Sequence, residues 1–342
     1  MKNGTLRLCA YSLAHFAVDL VCAFVMFAFV KQWGDWALCV LIYNFCAFAM
    51  QMPLGIIADK LNKNGIMALV GCALVLISVC ICVYPLLCAV FAGIGNAFFH
   101  VGGGVDVLNM SGKKAFRLGI FVSPGALGIY MGTLFAKHGR SVAIPLVWLI
   151  LCAAAVLFSC FADGVIRLSN NSPVSLKPNF NAKNILSAAA LFIVVAIRSY
   201  AGMIMTFEWK SAFLPALIAV VVVVLGKTTG GFLSDIAGSR LLSVFSLGLG
   251  GILFLFADSA PVGITAIFLF NMTMPVTLYE LSKIMSGTKG LSFGMLTFAL
   301  FLGFLPAYFG VKLPFGEKYM LAALSAVSLI LMLPACKKRK SP

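Results

Sequence analysis

The sequence reads Gly55-Ile-Ile-Ala-Asp59-Lys-Leu-Asn-Lys63-Asn64 between two long apolar stretches, and Gly231-Phe-Leu-Ser-Asp235-Ile-Ala-Gly238-Ser-Arg240 between two others. Both stretches follow the pattern Gly-x-Ile/Leu-Ala/Ser-Asp with basic residues after the aspartate, at an offset of 176 residues. A second echo, at an offset of 175, pairs Ser111-Gly-Lys-Lys114 with Ser286-Gly-Thr-Lys289. Two echoes at nearly one offset predict two halves that are parallel structural repeats.

The composition is typical of a membrane protein. Of the 342 residues, 62% are hydrophobic and 10% are charged, and the mean hydropathy is +1.07. A soluble domain carries roughly 45–50% apolar and about 25% charged residues, so this chain has too few charges to coat a water-facing surface. We therefore exclude a soluble enzyme, a disordered chain and an extracellular disulfide scaffold. The eleven cysteines form no C-x-x-C pair and are interpreted as buried apolar side chains.

Polar and Gly/Pro clusters divide the chain into twelve apolar segments, each close to the roughly 20 residues that a spanning helix needs. They lie near 8–30, 37–58, 65–84, 86–110, 116–136, 142–162, 185–207, 211–234, 241–257, 261–283, 291–310 and 318–335. The first segment has no A-x-A cleavage site and is interpreted as a spanning helix rather than a signal peptide. The sequence thus predicts an all-α polytopic membrane protein with about 12 transmembrane helices in two six-helix pseudo-symmetric bundles, 1–164 and 185–342. A cytoplasmic linker at 165–184, rich in Ser, Asn and Pro, joins them.

The placement of Lys and Arg predicts the orientation of the spans. With the N-terminus inside, 17 of the 25 basic residues fall in cytoplasmic segments, 6 in external turns and 2 within spans. Most of the net charge of +15 therefore reflects topology, which removes the basis for a nucleic-acid partner. The tail Lys337-Lys-Arg-Lys340 is interpreted as an anchor beside anionic lipid. We expect a monomeric, multi-pass protein of the plasma membrane with both termini cytoplasmic.

The two repeated loops resemble the signature loops of the major facilitator superfamily of secondary transporters, which follow its second and eighth spans. The first copy has Asn62 where glycine is usual, and the second has Ile236 in place of a basic residue. The resemblance implies two halves that alternate access to a midplane site. It also implies a cytoplasmic gate in which glycines permit close packing and the charged residues latch the loops. The gating residues expected on this basis are Gly55, Asp59, Lys60, Lys63, Gly231, Asp235 and Arg240.

The fourth and fifth spans carry a narrower resemblance. Together with His15 and Asp19, the stretch Gly95-Asn-Ala-Phe-Phe-His100-Val-Gly-Gly-Gly104 resembles the fosmidomycin-resistance branch of efflux proteins, although Val101 replaces the proline usual after the histidine. The stretch Ser123-Pro-Gly-Ala-Leu-Gly128 resembles the fifth-span motif of proton-linked antiporters, with serine replacing the first glycine. These resemblances imply proton-coupled efflux and a gating role for Pro124. Tight helix contact and a bend explain the same residues equally well.

Ionisable residues inside the spans are candidates for function, because each costs roughly 2.5–3.5 kcal/mol on insertion scales. Asp19 lies near mid-membrane in the first span, and His15 lies one helical turn earlier on the same face. His100 lies in the fourth span. We expect Asp19 to be the main proton carrier, with His15 or His100 tuning it. Binding of a metal ion by these three side chains is an alternative. The sequence shows no residues that would orient them as metal ligands, so we expect no metal and no cofactor.

Basic residues inside the spans predict an anionic substrate. Arg198 lies at a similar depth in the seventh span, so we expect it to face Asp19 across a central cavity; a purely structural ion pair is the alternative. Its guanidinium fork matches carboxylate or phosphonate oxygens. Lys227 in the eighth span is the second cation, although snorkelling explains it equally. Further substrate-lining residues are expected at Asn96, Tyr43, Tyr130, Tyr200 and Asn271.

Two acidic residues lie near the predicted cytoplasmic ends of the fourth and tenth spans. We expect Asp106 to pair with Lys60 or Lys63, and Glu280 to pair with Arg240. Exposed ion pairs contribute only about 0–1 kcal/mol each, but a gate needs a bias of only a few kcal/mol.

The sequence therefore predicts a proton-coupled transporter that exports a small organic anion or an anionic drug by alternating access. The alternatives are a proton-coupled importer of an anionic nutrient or metabolite and, ranked below it, a divalent metal transporter. An enzyme is not expected. Gly226-Lys-Thr228 has Val221 where a phosphate-binding loop needs its first glycine, and neither H-E-x-x-H nor G-x-S-x-G occurs.

Overall fold

The computed structural model describes residues 2–112, 114–162, 182–311 and 315–336. All regular secondary structure in these ranges is helical. The predicted linker up to residue 181 and the basic tail from Lys337 lie outside the described residues.

Ten of the described helices are long and apolar enough to cross a membrane, and two shorter apolar helices bring the set to twelve. We number them spans 1 to 12 in chain order: Gly4–Val30, Trp36–Leu61, Asn64–Cys80, Pro85–Ser111, Phe116–Lys137, Ala143–Phe161, Ala182–Ile204, Phe213–Ala237, Ser239–Phe254, Ala260–Ile284, Lys289–Tyr308 and Glu317–Ala335. Each overlaps one predicted segment, so the predicted all-α, twelve-helix fold class is confirmed.

Local chemistry explains where span 2 begins and ends. The carboxylate of Asp35 accepts the Leu38 N–H at 3.0 Å and caps the helix N-terminus. The helix ends at Asn62, which has a left-handed φ of 51°. Asparagine tolerates this conformation better than most residues. Gly238 takes the matching sequence position at the end of span 8, but its φ of 89° and ψ of 147° differ from the left-handed helical conformation of Asn62, whose ψ is 35°.

Several spans depart from regular α geometry. Single π turns occur at Met26–Val30 in span 1 and Phe45–Ala49 in span 2. Span 5 is interrupted at Ser123, between the helices Phe116–Val122 and Pro124–Lys137. This break is the bend expected where proline lacks a backbone N–H.

The described residues form two compact units. Unit 1 lies within Met1–Met110, Pro124–Leu176 and Gly287–Phe298, and unit 2 comprises the rest. The start of span 5 therefore belongs to unit 2, and the start of span 11 belongs to unit 1.

Span 1 is the most buried helix of unit 1 and packs against span 6 and the second part of span 5. Gly128 and Gly132 of span 5 lie directly against the span 1 backbone, where a Cβ atom would overlap main-chain atoms of Phe16 and Leu20. Small residues four apart allow helices to approach closely in a membrane, so these glycines bring span 5 close to span 1 beside Asp19.

Candidate functional site

A cluster of ionisable side chains lies between spans 1 and 4 in unit 1. The Nε2 atom of His15 is 2.8 Å from Nε2 of His100 and 3.3 Å from Oδ2 of Asp19. The distance from His100 Nε2 to Asp19 Oδ1 is 3.7 Å. His15 and Asp19 are buried, and His100 is partly exposed. The structure thus brings together the three residues that the sequence predicted as the proton-coupling group.

Asn96 organises this cluster from span 4. Its side-chain amide donates to Asp19 Oδ1 at 2.8 Å, and its backbone carbonyl lies 2.8 Å from His100 Nδ1. Because a carbonyl oxygen only accepts hydrogen bonds, His100 carries a hydrogen on Nδ1 and turns Nε2 towards His15. Asn96 was expected to line a substrate site, but its described contacts place it in the Asp19 cluster.

Gly125 of span 5 makes room for the cluster. A Cβ atom at this position would overlap the imidazole of His15 and the carboxylate of Asp19. From the sequence this glycine is predicted only to belong to a helix-packing or antiporter motif. Its contact with the two ionisable side chains could not be inferred from spacing alone, because residues 15 and 125 are far apart in the chain.

Arg198 of span 7 forms a second buried polar site, in unit 2. One guanidinium nitrogen donates to Thr273 Oγ1 at the break in span 10, and the guanidinium carbon lies 5.8 Å from the centre of the Phe270 ring. Its Nε and Nη1 atoms have no hydrogen-bond partner among the described residues. A buried donor without an acceptor is costly, so this arrangement suits a ligand that supplies acceptor oxygens. Sequence reasoning missed Thr273 and Phe270.

Lys227 of span 8 is also buried in unit 2. Its Nζ atom donates to the carbonyl oxygen of Val122 at 3.2 Å, just before the break in span 5. Beside it, the hydroxyl groups of Ser123 and Thr228 are 2.8 Å apart. The described contacts of this lysine are therefore with the first part of span 5.

The remaining predicted lining residues are Asn271, Tyr200, Tyr43 and Tyr130. The Asn271 amide donates to the Ile267 carbonyl one turn earlier, at 2.8 Å. The Tyr200 hydroxyl lies 3.4 Å from the Val311 carbonyl. Tyr43 and Tyr130 are partly exposed.

The two repeated aspartates make the same contact in the two units. In unit 1, Asp59 accepts two consecutive backbone N–H groups at the start of span 11, at 2.7 and 2.8 Å. In unit 2, Asp235 accepts two consecutive N–H groups at the start of span 5, at 2.7 and 3.0 Å. Each carboxylate thus satisfies orphan donors at a helix N-terminus, where negative charge is favourable. We call these two contacts the carboxylate latches.

The latches explain both sequence echoes. Lys114 and Lys289, which end the second echo, immediately precede the N–H groups that Asp235 and Asp59 bind. The two echoes are therefore the two sides of one repeated contact. Gly55 lies so close to the start of span 11 that a Cβ atom on Gly55 would overlap the backbone of Gly290.

The predicted partner of Asp106 is wrong. Its carboxylate accepts from the Tyr11 hydroxyl at 3.0 Å and pairs with Arg7 at 3.4 Å, both in span 1. Lys60 and Lys63 are exposed instead. A carboxylate on a packed helix takes partners from the neighbouring helix, whereas holding long surface lysines in place costs side-chain entropy that an exposed pair does not recover.

The predicted pair of Glu280 with Arg240 is also wrong. Glu280 is buried, accepts from the Ser239 hydroxyl at 2.5 Å and pairs at 2.7 Å with Lys283, one turn later on the same helix. A partner at i+3 is already positioned by the helix, so it competes well against Arg240, which lies in the first turn of another helix, span 9.

No protein-family model matches the chain, and no curated protein matches it. Solved structures with a similar fold include the E. coli fucose:proton symporter FucP, with a TM-score of 0.64, 15% identity and coverage of 98% of this chain and 99% of that one. FucP in the outward conformation, described as a Major Facilitator Superfamily transporter, gives a TM-score of 0.62 and 17% identity over 96% of this chain and 100% of that one. A bacterial homologue of the iron transporter ferroportin, in its outward-facing state, gives a TM-score of 0.61 and 15% identity, with coverage of 98% of each chain.

At these identities the likeness shows the fold: the chain has the fold of major facilitator superfamily transporters, which are membrane transport proteins and not enzymes. The narrower resemblance to the fosmidomycin-resistance branch is not confirmed by these neighbours.

Proposed function

We propose that this chain is a proton-coupled secondary transporter of the plasma membrane that exports a small organic anion or an anionic drug by alternating access. It acts as a monomer with both termini in the cytoplasm. The transporter fold supports the general class, while the two buried polar sites support the chemistry.

The main support for an anionic substrate is the guanidinium of Arg198, whose hydrogen-bond donors are only partly satisfied. Two of its nitrogens, Nε and Nη1, are buried and have no acceptor in the part of the chain that the structure describes. Nε and Nη1 point to different sides of the planar guanidinium, so each needs its own acceptor, and the oxygens of a carboxylate or phosphonate group are acceptors of the right charge. The aromatic face of Phe270 beside the guanidinium adds an apolar wall for the organic part of the substrate.

The histidine–aspartate cluster supports proton coupling. The facing Nε2 atoms of His15 and His100 are 2.8 Å apart and share one hydrogen. A second proton on Nδ1 of His15 leaves this contact intact, whereas one on Nε2 of His100 places two N–H groups head to head. In either position the Asp19 carboxylate, 3.3 and 3.7 Å from the two imidazoles, supplies the counter-charge.

The carboxylate latches are proposed as gating contacts. Asp59 and Asp235 each hold the first turn of another span through two N–H groups. Alternating access requires such contacts to break and re-form, and capping bonds of about 1 kcal/mol each are weak enough to do so.

The test is transport of a panel of organic anions in proteoliposomes, with and without a pH gradient. We expect Asp19→Asn to lose accumulation driven by the gradient while retaining exchange of anion at equal pH, because only the proton carrier is removed. His138→Gln is the matched control, since this histidine is exposed and outside the cluster. Gradient-driven transport by Asp19→Asn at the wild-type rate would refute the coupling role.

Import is the second candidate, because one protein of similar fold is a fucose:proton symporter. The same proteoliposomes distinguish the two directions. Export by antiport predicts that anion and protons move in opposite directions, whereas symport predicts that a gradient drives both the same way.

A further inference from the structure

Three side chains of metal-ligating type converge in unit 1. One ligand atom each from His15, Asp19 and His100 can be chosen so that all lie within 4.8 Å of one another. We propose that this cluster binds one divalent first-row transition-metal ion through both Nε2 atoms and one Asp19 oxygen. The inference rests on the geometry of the three residues and does not depend on the proposed transport function.

The spacing of the ligand atoms fits such an ion. Zn²⁺ bonds of about 2.0–2.1 Å in a tetrahedral arrangement separate neighbouring ligand atoms by roughly 3.3 Å. The observed separations are 2.8 Å between the two Nε2 atoms, 3.3 Å from His15 to Asp19 and 3.7 Å from His100 to Asp19. Shifts of a few tenths of an ångström equalise these distances. The ion then takes the place of the hydrogen shared by the imidazoles, which leaves as a proton or moves to Nδ1 of His15.

Asn96 orients two of the metal-ligating side chains through hydrogen bonds, a contact that the sequence did not reveal. Metal-binding histidines usually donate their other ring N–H to a carbonyl or carboxylate, which fixes the tautomer. His100 Nδ1 does so to the Asn96 carbonyl at 2.8 Å. The Asn96 amide also holds Asp19 at 2.8 Å, so one residue orients two of the three ligands.

The donor set selects the class of ion. Two imidazoles and one carboxylate suit Zn²⁺, Fe²⁺ and similar transition metals, whereas Mg²⁺ and Ca²⁺ prefer oxygen ligands alone. Gly125 leaves space next to the Nε2 atom of His15, since the methyl group of an alanine at position 125 would overlap this atom.

The test is metal binding by the full-length, tag-free protein in detergent. Exposed thiols, which include Cys9 and Cys80, are first blocked with N-ethylmaleimide. Titration with Zn²⁺ is followed by calorimetry, and Co²⁺ by its visible absorption, which reports nitrogen and oxygen ligands in a tetrahedral site. We expect saturation at one ion per chain and no binding of Mg²⁺. Absence of a saturable Zn²⁺ site would overturn the proposal.

Variants assign the site. Asp19→Asn should weaken Zn²⁺ binding by at least about 100-fold, and Asn96→Ala by about 10–100-fold, the usual effect of losing a supporting group. His138→Gln should bind normally. The Nδ1 atom of His138 also contacts a carbonyl, that of Leu134 at 2.9 Å, but among the described residues this histidine belongs to no group of three metal-ligating side chains. Wild-type affinity in both Asp19→Asn and Asn96→Ala would place the metal elsewhere and refute the proposal.

The two proposals can fail separately. Proton-driven anion transport without a Zn²⁺ site removes only the metal proposal. A Zn²⁺ site that depends on Asp19, in a protein whose transport ignores the pH gradient, removes only the coupling proposal.

Discussion

The guanidinium of Arg198 donates one hydrogen bond to Thr273, and its two other nitrogens are buried with no acceptor among the residues that the structure describes. By contrast, both oxygens of Asp19 face partners within unit 1. Two buried charges of opposite sign thus differ in what they lack: the arginine needs an acceptor, whereas the aspartate already has donors. The sequence identified both residues from the cost of placing a charge in a membrane, but it could not reveal this difference.

Replacing Arg198 should separate stability from binding. We expect Arg198→Met to raise the melting temperature or leave it unchanged, because it removes buried donors that nothing satisfies. The same change should weaken binding of the anionic substrate by roughly 10–100-fold, since hydrogen bonds to charged groups contribute about 1.5–3 kcal/mol each. Thermal unfolding and substrate binding of the purified protein measure the two effects. Arg140→Met, at an exposed position, is the control, and unchanged substrate binding by Arg198→Met contradicts the assignment.

At the scale of helices, the repeat is most evident in the capping of one helix by a residue of another. Asp59 and Asp235 cap spans 11 and 5, and three residues later Asn62 and Gly238 each end a helix with a positive φ. The side chains that follow the aspartates differ between the copies, but the carboxylate contact to backbone N–H groups does not. The capping contact thus recurs in both copies, whereas the basic residues around it vary.

Removing either latch should destabilise the helix it caps. We expect Asp59→Ala and Asp235→Ala each to lower the free energy of unfolding by about 0.5–2 kcal/mol, the usual cost of losing a cap. The matching asparagine variants should retain most of the stability, because asparagine also caps well, but should alter transport by removing the charge. Asp258→Ala is the control, since its ion pair with Lys318 is exposed. If Asp235→Asn transports as the wild type does, the gating role fails.

The glycines of span 5 give a second test at this scale. Gly128→Ala should destabilise the protein by about 1–3 kcal/mol, because the new methyl group overlaps the span 1 backbone. Gly202→Ala should be neutral or stabilising by up to about 1 kcal/mol, since this helical glycine has open space around it. Thermal melting in detergent compares the two. Equal melting temperatures would show that span 5 is not held against span 1 as described.

For the whole molecule, twelve apolar helices account for most of the described residues, and the charges outside them predict the orientation. The positive-inside distribution predicts that the turn after span 4 is cytoplasmic and the turn after span 5 is external. Gly112 and Gly139 lie in these turns with positive φ and open surroundings. A phosphatase inserted at Gly139 should therefore be active outside the cell, whereas one inserted at Gly112 should be inactive; the reverse pattern would contradict the orientation.

The twelve spans could be predicted because hydropathy and the length needed to cross a bilayer are local properties of the chain. The same holds for the candidate residues Asp19, His15, His100 and Arg198, since a charge within an apolar segment is visible without a structure. Their partners were less predictable. The side-chain pairs expected for Asp106 and Glu280 were wrong, because the position of a neighbouring helix, and not charge alone, decides which donor is close.

Sequence alone was thus sufficient for the helical class, the number of spans, the repeat and the identity of the buried charges. Tertiary structure alone decided that Asp59 binds backbone groups 231 residues away, that Asn96 orients both Asp19 and His100, and that two nitrogens of Arg198 lack an acceptor. Spans are set by interactions of neighbouring residues with the membrane, whereas hydrogen bonds extend only about 3 Å. Which groups meet at that distance is fixed only when helices far apart in the chain pack together.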